Sequence, residues 1–280
     1  MTERLDGRVA VVTGAGRGLG RAHALTLAAR GAAILANDLG VDIDGHGASR
    51  APADDVVTEI TRAGGRAVAD HSDVASLAGG RGVVVAARAA FGRVDIVVNN
   101  AGFAAGGGTV EAPMVTELEA LFAVHLQAAL GTMSAAFPIM REQGYGRIVN
   151  TVSEVALDDR FAGSLAYGAA KAALWSATLT AAAEGRAHGI TVNAISPGAR
   201  TRLNAELLDA GFRDGSSSRL DLAPEYVAAV VAYLASPAAG DITGRVVHVA
   251  GGEIREYRTE RTARSELVDR LVLAVEGPRG

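Results

Sequence analysis

The chain has 280 residues, 49% hydrophobic and 21% charged, with a formal net charge of -4. That is enough apolar material for a large core and too much for disorder, and the weak negative charge without a basic run argues against a nucleic-acid partner. It has no cysteine, so disulfides, thiolate nucleophiles and cysteine-bound zinc are excluded.

Short apolar runs alternate with Ala-rich stretches from the first residues. The predicted strands are Val9–Thr13, Ala33–Asn37, Arg66–Ala69, Asp95–Asn99, Arg147–Thr151, Thr191–Ile195 and Arg245–Val249. The predicted helices are Gly18–Arg30, Ala53–Ala63, Arg81–Phe91, Thr116–Met140, Ala166–His188 and Pro224–Ala235. Several strands are apolar throughout, as strands buried on both faces are. The alternation means βαβ units, hence an α/β fold with a parallel sheet covered on both sides. No internal repeat or linker divides the chain, so one domain is expected over residues 1–252, followed by a charged extension over 253–280. Within that extension Ser265–Val275 has helical spacing of Leu267, Val268, Leu271 and Val272 and suits either a packing helix or a frayed tail. The polar inserts Leu39–Ala51 and Thr201–Leu222 fall outside the alternation.

The first strand runs into Gly14-Ala15-Gly16-Arg17-Gly18-Leu19-Gly20, and a helix follows. Glycines let the backbone approach a pyrophosphate, whose charge then meets the amino end of the helix. The pattern is Thr-Gly-x-x-x-Gly-x-Gly, with Leu19 standing where a GxGxxG loop has its last Gly. The second strand ends at Asp38, 18 residues beyond Gly20, where a carboxylate accepts both ribose hydroxyls of an adenosine. It repels a 2′-phosphate, which favours NAD over NADP. Arg17 is a cation that either meets such a phosphate, leaving NADP as the alternative, or faces solvent. Asp73-Val74 follows the third strand, where Asp73 either receives the adenine amino group or caps the next helix. Asn99-Asn100-Ala101-Gly102 follows the fourth, at the carboxyl ends where such sheets bind ligands.

Tyr167 and Lys171 are four apart on a predicted helix and leave the same face. A nearby ammonium is expected to lower the phenol's pKa and make it a usable acid and base. Lys171 is the only lysine among 27 basic residues, at a place where a compact ammonium serves better than a flat guanidinium. Ser153 follows the fifth strand, 14 residues before Tyr167, and can bond a substrate carbonyl.

With these residues the chain resembles the short-chain dehydrogenase/reductase family. Thr13-Gly14-x-x-x-Gly18-x-Gly20, Asn99-Asn100-Ala101-Gly102, Ser153, Tyr167-x-x-x-Lys171 and Pro197-Gly198 match in order and spacing over residues 5–252. The resemblance implies a single-domain, doubly wound Rossmann-like fold with about seven parallel strands, and a homotetramer or homodimer. It implies hydride transfer between nicotinamide and a carbinol or carbonyl carbon. Tyr167 is then the general acid and base, Lys171 holds the ribose, Ser153 steadies the substrate oxygen, and Gly14, Gly16, Gly18, Gly20, Asn100, Ala101, Gly102, Pro197 and Gly198 line the cofactor. There are two departures. His125 stands where the family has an Asn that holds a relay water, and Ser153 is followed by Glu154-Val155-Ala156 in place of a second Ser and a Gly. A narrower resemblance, in Asn37-Asp38-Leu39-Gly40, the Gly47-Ala48-Ser49 insert and Val124-His125-Leu126, is to the (3R)-hydroxyacyl-CoA dehydrogenase part of the peroxisomal multifunctional β-oxidation enzyme, an NAD-linked group.

The expected function is an NAD-dependent oxidoreductase interconverting a secondary alcohol and a ketone, with 3-hydroxyacyl thioesters as a lead. The alternatives are an NADP-linked 3-oxoacyl reductase and a non-catalytic dinucleotide sensor. The carboxylate pair in Asp158-Asp159-Arg160-Phe161 has no third ligand at hand, so no metal is expected. The amino end, MTERLDGRVAVVTG, lacks a signal peptide's apolar run, and no stretch of about 18 uncharged apolar residues stands out, so a cytoplasmic protein without a membrane partner is expected.

Overall fold

A computed structural model describes residues 3–41, 47–103, 108–156, 158, 163–201 and 221–258. The strands are β1 (Val9–Thr13), β2 (Ala33–Asn37), β3 (Ala67–Asp70), β4 (Ile96–Asn99), β5 (Gly146–Thr151), β6 (Ile190–Gly198), β7 (Val246–Ala250) and β8 (Glu253–Tyr257). They form one sheet in the order β3-β2-β1-β4-β5-β6-β7-β8. Every pairing is parallel except β7 with β8. The order reverses between β1 and β4, which opens a crevice at the carboxyl ends of those strands. The helices are α1 (Gly18–Ala29), α2 (Ala51–Arg62), α3 (Leu77–Phe91), α4 (Val115–Phe122), α5 (Ala128–Gln143), α6 (Leu165–Gly185) and α7 (Pro224–Leu234).

The uniform apolarity of the strands follows from two covered faces. In β1, Ala10 and Val12 join a core cluster with Leu27 of α1, Ile60 of α2 and Val231 of α7. Between them Val11 turns to the other side, toward Val83 of α3, Met133 of α5 and Ala182 of α6. Leu174 of α6 is buried in a smaller cluster, with Trp175 packed against it, so both belong to the core.

Three differences from the expected elements have physical causes. The sheet has an eighth strand: residues 253–257, assigned to an extension, turn back after Gly251 (φ 55°) and pair antiparallel with β7. The predicted helix Thr116–Met140 is interrupted by a π-helical turn, Ala123–Gln127, with His125 at its centre. Such turns admit one extra residue and recur at functional sites. The segment Val115–Gln143 is long and apolar enough to cross a membrane by length and composition, although the chain was expected to lack such a stretch. Its apolarity serves the core, because Leu121, Ala129, Met133, Ala136 and Met140 are buried. The Ser265–Val275 segment, Asp159-Arg160-Phe161 and most of Thr201–Leu222 lie outside the described residues.

A chain of buried amides and hydroxyls fixes the sheet to its helices near the crevice. Thr132 of α5 donates to Asn99 Oδ1 (2.7 Å), Asn99 Nδ2 to Asn150 Oδ1 (2.8 Å), and Asn150 Nδ2 to Thr178 Oγ1 of α6 (2.9 Å). All four residues are buried. In a dry interior each bond is hard to replace, since removing one partner leaves the next unsatisfied. We predict that Asn150→Ala lowers unfolding stability by about 2–4 kcal/mol, measured by urea denaturation. A loss under about 0.5 kcal/mol would show that this chain does not brace the fold.

Candidate active site

The loop after β1 is shaped by what a side chain would hit. Gly14 has φ 64°, and a Cβ on Gly20 would stand 1.9 Å from the Gly14 carbonyl oxygen. A Cβ on Gly16 would stand 2.7 Å from Asp38 Oδ2. Gly18 begins α1, and its Cβ position lies near Thr201. Arg17, the cap residue, makes no side-chain cap bond, and the first turn has no acid, so the amino end of α1 keeps its dipole for an anion. The loop is held from β4: Asn100 Nδ2 donates to the carbonyls of Thr13 (3.0 Å) and Gly14 (3.2 Å). The amides of Asn100 and Ala101 donate to Thr13 Oγ1. Leu19 turns away and packs against the core.

At the tip of β2, Asp38 accepts from Gly16 N at Oδ2 and from Gly40 N at Oδ1, each at 2.7 Å. Arg17 Nη1 donates to the Val41 carbonyl (2.9 Å) on the same rim. Asp73 accepts from Ala75 N, so it turns its own loop; the cap of α3 is Ser76, which accepts from Gly79 N. Asp73 is therefore not the helix cap that one reading allowed. Val74 is buried in the core, which roots that loop. A brace that sequence reasoning missed is Asn37, whose Nδ2 donates to Asp70 Oδ1 (2.8 Å) and the Ser72 carbonyl (3.0 Å). Its signal was a fully buried amide ending an apolar strand. The residues fit a dinucleotide: tight loop, uncapped helix end and a carboxylate at the tip of β2. No described residue contradicts that assignment.

Ser153, Tyr167, Lys171 and His125, which lie on four different turns of chain, come together beside this loop. Ser153 follows β5, and its hydroxyl is close enough to the Tyr167 phenol to favour the phenolate. Lys171, one turn along α6, is buried with Nζ 5.6 Å from the Tyr167 ring centre. That ammonium donates to the Thr151 carbonyl at 2.7 Å. The carbonyl was invisible to motif reasoning because any residue supplies one. The His125 ring meets Tyr167 edge to face, centres 5.4 Å apart. Gly102 makes room for it, since a Cβ there would stand 2.1 Å from His125 Cε1. Pro197 and Gly198 end β6, beside Val249 and Ala250 of β7.

The electrostatics differ from expectation in direction. Burial pushes the Tyr167 phenol up to about 12, only partly offset by the Ser153 hydrogen bond, and pushes Lys171 down to about 7. Desolvation decides both shifts, and Nζ is turned onto a backbone carbonyl. His125 is held well below its ordinary value by burial and by the Lys171 charge, against the opposing Phe103 carbonyl bond, so it is neutral. Because that carbonyl can only accept, Nε2–H donates to it (3.0 Å), and Nδ1 carries the lone pair. Nδ1 and Thr151 Oγ1 are buried without a hydrogen-bond partner among the described residues. Both side chains, with Thr13, Asn99 and Lys171, line a cavity of about 10 Å³, room for one water.

The family model described as short chain dehydrogenase matches residues 8–210. The chain is 42% identical over 250 residues to peroxisomal multifunctional enzyme type 2 of Drosophila melanogaster, covering 89% of this chain but 40% of that one. It is 37% identical over 270 residues to hydroxyacyl-CoA dehydrogenase ChsB1 of Mycobacterium tuberculosis, covering 90% and 80%. A crystal structure of a short chain dehydrogenase from Mycobacterium avium superposes with a TM-score of 0.80 at 40% identity, covering 97% and 94%. The family resemblance and the narrower one read from the sequence are thus both borne out.

Lys171 yields a prediction with a definite sign. Its folded value of about 7 lies below the ordinary 10.5, so between those pH values the unfolded chain holds a proton that the fold does not. Stability therefore rises with pH across that window, and the cost of the buried ammonium is present in full below it. Lys171→Met should raise the thermal midpoint at pH 7 by roughly 2–6 °C, with the gain shrinking toward pH 10. A lowered midpoint at pH 7 would mean that burial does not strain this lysine.

Proposed function

Because the chain belongs to the short chain dehydrogenase family and is an oxidoreductase of CH–OH groups, we propose that it interconverts a secondary alcohol and a ketone with NAD. The observation that carries this reading is the gathering of Tyr167 and the Ser153 hydroxyl around a buried ammonium and beside an uncapped glycine loop. Gly14, Gly16, Gly18, Gly20 and the amino end of α1 would hold the pyrophosphate. Asp38 would take the adenosine ribose and Lys171 the nicotinamide ribose, with Ala101, Gly102, Pro197 and Gly198 along the cofactor. When bound, NAD supplies the hydride acceptor.

The side chains then divide the work. Ser153 donates to the substrate oxygen and holds it against Tyr167, so the charge that develops there meets preorganised donors. Tyr167, protonated at neutral pH, is the form that gives a proton to a ketone oxygen; alcohol oxidation needs the phenolate. Lys171 lies low enough to exchange a proton near neutrality. We place a relay water in the small cavity, accepted by His125 Nδ1 and Thr151 Oγ1, so that His125 takes the role of the family's Asn by a lone pair on an imidazole.

The preference for NAD rests on the Asp38 carboxylate, already fixed by two backbone amides where a 2′-phosphate would stand. The substrate class we favour is a 3-hydroxyacyl thioester, supported by 37% identity to a protein named hydroxyacyl-CoA dehydrogenase. A homodimer or homotetramer and a cytoplasmic location complete the reading; the exposed Leu165 and Leu179 on α6 support the first.

Tyr167→Phe should keep NADH binding, followed by fluorescence, and lose at least about 10³-fold in turnover of 3-hydroxyacyl thioesters. Turnover equal to wild type would defeat the acid and base assignment. Asp38→Ser should narrow the preference for NAD over NADP by about tenfold or more. In the wild type, alcohol oxidation should accelerate as pH rises above 7, because only deprotonation makes the phenol a base.

A further inference from the structure

We propose that Glu154 is a positioning residue for Ser153, and that strand β8 thereby belongs to the active centre; this rests on the role given to Ser153 above. Glu154 follows Ser153 directly and opens the short 3-10 turn Glu154–Ala156. Its side chain is 11% exposed, a costly place for a carboxylate unless something holds it. Two groups do. The Tyr257 hydroxyl of β8 donates to Glu154 Oε1 at 2.6 Å, and His248 Nδ1 of β7 lies 3.4 Å from the same oxygen. The His248 and Tyr257 rings meet edge to face, centres 6.4 Å apart.

The cluster is wedged between two catalytic segments. On one side the turn closes on Ser153: Val155 N donates to Ser153 Oγ (3.3 Å) and Ala156 N to its carbonyl (3.1 Å). The same turn rests on α6, where the Val155 carbonyl oxygen lies 3.3 Å from the Cβ position of Gly168, the residue after Tyr167. On the other side His248 Cε1 lies 3.4 Å from the Cβ position of Gly198, at the end of β6, which the reading above sets along the cofactor. A carboxylate anchored to β8 and packed against β7 therefore sets where the turn begins, and with it the direction of the Ser153 hydroxyl. The second Ser and the Gly that the family usually carries here are replaced by an anchor from outside the loop.

The test uses the full chain and a double-mutant cycle. Glu154→Ala should lower kcat about 10–100-fold, with NAD affinity unchanged, because a misdirected Ser153 loses transition-state contact and not cofactor contact. Glu154→Gln, which keeps a carbonyl oxygen for the Tyr257 hydroxyl, should stay within about threefold of wild type, and Tyr257→Phe should fall between. In a Ser153→Ala background, Glu154→Ala should cost less than about twofold more, since its effect runs through the missing hydroxyl. An equal loss in both backgrounds would reduce Glu154 to a general stabiliser and overturn the proposal. A second readout needs no substrate: amide hydrogen exchange over residues 153–156 of the ligand-free protein should quicken in Tyr257→Phe. Unchanged exchange there overturns the anchor even if the enzyme reading holds. Ser153→Ala or Tyr167→Phe retaining full turnover overturns the enzyme reading while leaving the exchange result to judge the anchor.

Discussion

The burial of a single ammonium governs this site. Lys171 has left water, and the Thr151 carbonyl is the hydrogen-bond acceptor that receives it. That contact ties α6 to the end of β5, one residue from the loop that carries Ser153. It also sets the local field: the cation helps keep the neighbouring imidazole neutral, and its own desolvation brings it into the neutral pH range. The phenol beside it is made a weaker acid by the same dryness. A protein that excludes water from such a phenol–ammonium pair thus raises the cost of charge on both members.

The rest of the architecture exists to keep that pair in place. The sheet reverses between β1 and β4, so the glycine loop and the Asn99-Asn100 segment open onto one crevice. Asn100 laces the loop to β4, and the Asn99–Asn150 link continues through Thr178 into α6. Loop, strands and α6 are therefore one hydrogen-bonded body, and a shift in one is resisted by the others. The far end of the sheet joins in through Tyr257, which reaches a carboxylate next to Ser153.

Much was legible in the chain before any coordinates. Continuous apolar runs such as Val9–Thr13 and Ala33–Asn37 became strands with those bounds, because burial on two faces leaves little room for polar residues. The pairing of Tyr167 with Lys171 followed from helical spacing, and the solitary lysine proved to be buried beside the phenol. Other features left no such trace. β8, Glu-Ile-Arg-Glu-Tyr, is mostly charged and resembles a tail, and only its antiparallel partner β7 makes a strand of it. The π-helical turn at His125 depends on a carbonyl at Phe103 and a gap at Gly102, both distant in sequence.

Local chemistry and spacing were thus sufficient for the class of fold, the glycine loop and the gathering of Tyr167 with Lys171, since each is written in neighbouring residues or a fixed helical period. The sense of the pKa shifts was not, because desolvation depends on how much of the surrounding chain closes over a group. Nor was the task of Glu154, whose partners on β7 and β8 lie about a hundred residues away and meet it only once the sheet has formed.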